Sequence, residues 1–73
     1  MTLLDFVSKL KTQNVNISVV DGDSEEVIIE FKSQGIAGVE SDLSARLVKY
    51  WSIAYALYST TITVTLEVPN NGL

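Results

Sequence analysis

Apolar positions along the chain change their spacing several times, and each change marks an element. Leu3, Phe6, Val7 and Leu10 recur at intervals of three and four, which places them on one stripe of a helix spanning residues 3–12. Thr2 stands where a helix N-cap is needed, with Asp5 beside the positive helix end. Lys9 and Lys11 suit the negative end, and Asn14 suits a left-handed stop. The period then drops to two. Val15, Ile17 and Val19 alternate with Asn14, Asn16 and Ser18, the mark of a half-buried strand. Asp21, Gly22, Asp23 and Ser24 carry hairpin-turn chemistry. Val27, Ile29 and Phe31 then alternate with Glu26, Glu30 and Lys32, with Ile28 breaking the polar face.

Residues 33–40 read as a loop in which Gly35 and Gly38 permit a sharp turn. Ser41 is a suitable N-cap, and a second helix is expected to start at Asp42. Two periods compete beyond it. Leu43, Leu47, Trp51, Ala54 or Tyr55, and Tyr58 fit a helix, whereas Lys49, Trp51, Ile53, Tyr55 and Leu57 fit a strand with one mostly apolar face. Periodicity alone leaves residues 48–57 open between the two. The reading adopted is a helix over 42–47 and a strand over 48–57, turning through Tyr58, Ser59, Thr60 and Thr61. That turn lacks the Gly or Asn a tight hairpin prefers. Ile62, Val64, Leu66 and Val68 alternate with Thr61, Thr63, Thr65 and Glu67, which makes the last strand unambiguous, and Pro69 ends it.

These elements predict a single α+β domain over residues 1–68, followed by a short flexible tail over 69–73. The N-terminal helix packs on one face of a three- or four-stranded antiparallel sheet. With 73 residues the core is small, and support must come from close packing or self-association, because cysteine is absent and disulfides with it. A hydrophobic content of 47% is ample for packing and argues against disorder.

Charge narrows the functional classes. The net charge of −4 is concentrated in residues 21–42, where seven acids face one lysine. The five basic residues are dispersed, so binding to nucleic acid or to an anionic membrane surface is not expected. The longest uncharged run, residues 50–66, is broken by serines and threonines and falls short of a membrane span. Residues 1–5 put an acid where a signal peptide needs positive charge, so a cytoplasmic location is expected.

Candidate chemistry is sparse. Histidine and cysteine are both absent, which removes the commonest general base, the commonest nucleophile pair and the commonest metal ligands. Asp21, Asp23, Glu25, Glu26 and Glu30 form an acidic surface, but the spacing fails a calcium loop: the sixth and twelfth positions hold Glu26 and Lys32. A solvated hairpin tip is the plainer reading. The Gly35 to Gly38 stretch has neither the spacing nor the lysine of a phosphate loop. No cofactor or metal is expected, and the chain reads as a non-enzyme. Tyr50, Trp51, Tyr55 and Tyr58 are four of six aromatics within nine residues. Not all four fit one buried face. The plain reading is core plus scattered surface tyrosine, and the functional one is a protein interface.

The opening Met-Thr-Leu-Leu-Asp-Phe-Val, the early acidic hairpin, and the stretches Val-Lys-Tyr-Trp-Ser-Ile from Val48 and Thr-Ile-Thr-Val-Thr-Leu-Glu from Thr61 resemble small uncharacterised proteins of bacteriophages and mobile elements of Gram-positive bacteria. The resemblance implies an intracellular bacterial or phage setting and an accessory role, and favours a hairpin in the C-terminal half. The expected function is therefore a non-enzymatic interaction module whose partner is another protein or a second copy of the chain. The alternative is an acidic decoy that binds a basic surface of a host protein.

Overall fold

The computed structural model describes residues 1–10 and 12–68. Lys11 and the tail expected over 69–73, Pro69 included, lie outside the described residues.

Helix α1 spans Leu3–Ser8, with Thr2 as its N-cap: the Thr2 hydroxyl accepts from the Asp5 amide at 3.1 Å. The helix ends sooner than the apolar stripe suggests. Leu10 and Gln13 donate to carbonyls only three residues back, and Asn14 then takes φ 49°. The cause is tertiary. The Leu10 carbonyl, which also accepts from the Gln13 amide, takes a second bond from the buried Ser33 hydroxyl at 3.0 Å, which ties the chain to the sheet where it leaves the helix.

Strands β1 (Asn16–Asp21) and β2 (Val27–Lys32) form the acidic hairpin. Val19 pairs with Ile29 and Val20 with Val27, so Ile28 is the extra residue of a bulge. The bulge explains why Ile28 interrupts the alternation. It also moves Val27 off the core face, where strict period two would put it, and onto the opposite face with Val20. A 3-10 helix over Ser33–Gly38 replaces the expected loop. Neither Gly35 nor Gly38 uses a positive φ, and a side chain at either would meet open space. Helix α2 covers Ser41–Ser44 only; Glu40, not Ser41, occupies the cap position, and its side chain makes no cap bond.

Strands β3 (Val48–Ala56) and β4 (Ser59–Leu66) form a second hairpin, which settles the helix-or-strand question for this segment. The turn is tighter than expected. Ala56 pairs with Ser59, leaving Leu57 and Tyr58 as a two-residue loop. Positive φ among the described non-glycine residues occurs at Asn14 and Glu25, not in this loop. Leu57 and Tyr58 therefore do not need to be Asn or Gly, although an unprimed turn matches strand twist less well.

The four strands lie in the order β2-β1-β4-β3. The sheet is mixed rather than purely antiparallel, since the central pair, β1 and β4, runs parallel with Ile17 beside Ile62 and Val19 beside Val64. The reason is the link over residues 33–47. It carries the chain back along the helical layer, so β3 starts at the same end as β2 and β4 runs with β1. A crossover of this length is what parallel pairing requires. The core is Leu3 and Val7 of α1, Ile36 of the 3-10 helix, Ile17 and Val19 of β1, and Ile62, Val64 and Leu66 of β4, all buried. The helical layer covers one face of the sheet. The other face carries Ser18, Thr61, Thr63 and Thr65 in the middle, with Ser52, Ala54 and Ala56 on β3.

Arg46 and the first residues of the chain join the layers at one end. Arg46 donates to the Glu67 carbonyl at 2.9 Å and lies 3.9 Å from the Asp21 carboxylate. Its Nε is buried without a partner. The Arg46 carbonyl accepts from the Leu3 amide, and the Met1 carbonyl accepts from the Val48 amide at 2.8 Å. Residues 1–3 thus line the start of β3.

Candidate functional site

The acidic turn and the turn of the second hairpin lie at opposite ends of the sheet, in a molecule measuring 44 × 22 × 17 Å. The aromatic surface is built by β3 and its turn. On an antiparallel strand alternate residues face opposite sides. Trp51, Ile53 and Tyr55 share the helix-covered side with their β4 partners Val64, Ile62 and Thr60. Tyr50, Ser52, Ala54 and Ala56 lie on the open side.

Helix α1 is only six residues long, which limits what it can cover. Phe6 reaches Trp51, with ring centroids 5.5 Å apart and planes tilted by 50°. That contact leaves Trp51 half exposed and closes one wall of a groove of about 320 Å³, lined by Met1, Phe6, Lys9, Leu10, Trp51, Ile53 and Ile62. Further along β3 no described residue covers the strand. Tyr55 is 80% exposed, Leu57 86% and Tyr58 94%. Tyr55 points to the helix-bearing side, as alternation requires, yet lies beyond the reach of α1. β1 begins opposite Thr61, so the tip of the second hairpin projects past its neighbours.

Of the four aromatics singled out, Trp51 serves the core and the groove, Tyr50 lies half exposed on the open face, and Tyr55 and Tyr58 are free. Sequence reading missed Leu57 and Ile53 as members of the surface. The signal available was the absence of any charge between Lys49 and Glu67.

The acidic set is less unified. Asp21 is partly buried and occupied. Its carboxylate accepts from the Asp23 amide at 2.7 Å, which holds its pKa below the ordinary 3.8 against the cost of burial, with the Ser24 amide and Arg46 adding lesser lowering effects. The Asp21 carbonyl and amide also close the turn, with Glu25 at φ 61°. Asp23, Glu25, Glu26 and Glu30 are exposed. Among the described residues, no three acidic side chains are grouped to hold a metal ion. No described helix is long and apolar enough to cross a membrane.

Gly22 is a residue whose importance has another cause than turn flexibility. Its φ is not positive, but a Cβ there would collide with the Leu66 carbonyl oxygen of β4. No family model, curated protein or solved structure gives a significant match to the chain.

Proposed function

We propose that this chain is a small non-enzymatic interaction module whose contact surface is the outer side of β3 and the Leu57 and Tyr58 turn. The observation that carries the reading is the exposure of Tyr55, Leu57 and Tyr58 at the end of a projecting hairpin. Fully solvated Leu and Tyr side chains gathered in one place, with no charge among them, are a surface that gains from being covered. Support also comes from the lack of histidine and cysteine in the chain and from carboxylates placed at a surface turn. An accessory role in the cytoplasm, of the kind the phage-protein resemblance implies, belongs to the same proposal.

The test uses a variant that separates folding from contact. Leu57→Asn with Tyr58→Gly installs the turn pair that suits a two-residue hairpin, so the fold is kept or strengthened while the apolar tip is removed. The wild-type protein used as bait is expected to recover a specific protein that this variant does not. An unchanged set of recovered proteins with a correctly folded variant would overturn the reading.

A second reading, the acidic decoy, is favoured by the grouping of Asp23, Glu25 and Glu26 at one exposed turn. It requires binding to a basic partner that weakens as salt rises. Charge reversal at Glu25, Glu26 and Glu30 should abolish that binding; persistence at high salt rules the decoy out.

A further inference from the structure

The two edges of the sheet are treated differently. β2, at one edge, carries Glu30 and Lys32 and a bulge at Ile28, all devices that discourage further strand pairing. β3, at the other, is covered among the described residues only at its start, where residues 1–3 hydrogen-bond to 46–48 and a bulge falls at Lys49. Residues 50–56 follow with no charge, no proline and no bulge: Tyr, Trp, Ser, Ile, Ala, Tyr, Ala. Alternate residues of this stretch leave their N–H and C=O groups unpaired at the edge among the described residues.

We propose that residues 50–56 pair antiparallel with the same stretch of a second copy, about a two-fold axis at Ile53, joining two four-stranded sheets into one of eight strands. The proposal rests on the interaction-module reading and names its partner.

Three observations support a second copy over an unrelated strand. The stretch is complementary to itself in this register. Ile53 meets Ile53, Trp51 meets the partner's Tyr55 on the helix-covered face, and Ser52 meets the partner's Ala54 on the open face. Each residue thus finds a partner of matching character on its own side of the sheet. The partner's Tyr55 approaches the groove beside Trp51 and Ile53, so the side chain that α1 leaves bare is covered by the other chain's groove. The charges also agree. The acidic turn belongs to the hairpin at the far edge, so the two acidic turns occupy opposite outer corners of the joined sheet and the net −4 of each copy is kept apart.

The area fits a weak dimer. Leu57 and Tyr58 lie beyond the paired stretch, whose exposed large side chains are Tyr50, Trp51, Ile53 and Tyr55, on average a little over half exposed. At ~150–250 Å² for each aromatic and somewhat less for Ile53, they present roughly 400 Å² per copy. Covering them in both copies removes at most about 800 Å², below the ~1,200–2,000 Å² of stable interfaces, so association is expected in the micromolar range.

The register gives the test. Ser52 and Ala54 are exposed, so charges are tolerated there in the monomer. Ser52→Glu with Ala54→Glu sets like charges opposite each other twice across the axis. Ser52→Lys with Ala54→Glu sets opposite charges there. Sedimentation equilibrium over the micromolar range is expected to show a dimer for the wild type. The double-glutamate variant should associate about tenfold more weakly. The lysine–glutamate variant should associate at least as well as the wild type, with all three giving the same circular dichroism. A monomeric wild type overturns the pairing while leaving the hairpin-tip reading to its own bait experiment. A dimer that both variants leave intact, or weaken equally, assigns self-association to a different surface and also overturns it.

Discussion

Replacing Ser33 by alanine removes one oxygen atom, and the structure says what that atom holds. Ser33 is fully buried between the end of α1 and the start of β1. Its hydroxyl accepts from the Val15 amide at 2.9 Å and donates to the Leu10 carbonyl at 3.0 Å. Its own amide donates to the Val15 carbonyl at 2.8 Å, and that bond survives the substitution. Alanine therefore leaves the Val15 amide without a partner and removes one of two bonds to the Leu10 carbonyl, which keeps the Gln13 amide. A buried donor left unsatisfied costs about 1–3 kcal/mol, and the carbonyl adds little. The expected loss is about 1–3 kcal/mol. A domain of this size has only about 4–11 kcal/mol in total. Each kcal/mol moves the midpoint of a small domain by roughly 4–8 °C, so the melting temperature should fall by about 5–20 °C. Thermal denaturation followed by circular dichroism measures it, with exposed Ser8→Ala as a control expected within about 0.5 kcal/mol of wild type. A Ser33→Ala protein that melts within about 3 °C of wild type would refute the assignment of this hydroxyl as the clasp between helix and sheet.

Other substitutions probe separate features. Gly22→Ala should lower stability by about 1–3 kcal/mol in urea denaturation, because its methyl group meets the Leu66 carbonyl. Gly35→Ala and Gly38→Ala should be neutral or stabilising by up to about 1 kcal/mol, since their Cβ atoms meet nothing and the unfolded chain loses freedom. Thr2→Ala should cost about 1 kcal/mol through loss of the α1 cap. Asp21 is held below its ordinary pKa in the folded state, so its contribution is present above pH 3.8 and is lost as pH falls through the folded value. Asp21→Asn should therefore flatten the fall in stability over that acid range, and an unchanged acid limb would show that the carboxylate interactions contribute nothing.

What the sequence makes legible here is local. The period of two in residues 15–19 and 61–68 identifies β1 and β4, and Thr2 identifies the start of α1, because each signal is carried by residues next to one another. The end of α1 is not local: it is set by Ser33, more than twenty positions on. The requirement for Gly22 comes from β4, which no turn rule includes. The parallel central pair was also hidden, since reading hairpins one at a time assumes that each strand pairs with its sequence neighbour. The link over 33–47, long enough to return along the sheet, was the signal that a parallel pairing was open. For the candidate surface, the aromatic cluster was visible in composition. What sequence could not supply was the reach of α1, which decides that Trp51 is partly used and Tyr55 is not.

The parallel pairing of β1 with β4 also sets a schedule for folding. Ile17 must wait for Ile62 before the middle of the sheet exists. A nascent chain with only its first half made can form the acidic hairpin, but that hairpin has α1 on one face and a bare β1 edge. Contacts so distant along the chain slow the search for the native state. The protein is thus expected to fold late and all at once, after residues 61–66 are available, rather than growing outward from its first hairpin. Truncations that remove β4 should leave an aggregation-prone chain, not a smaller folded one.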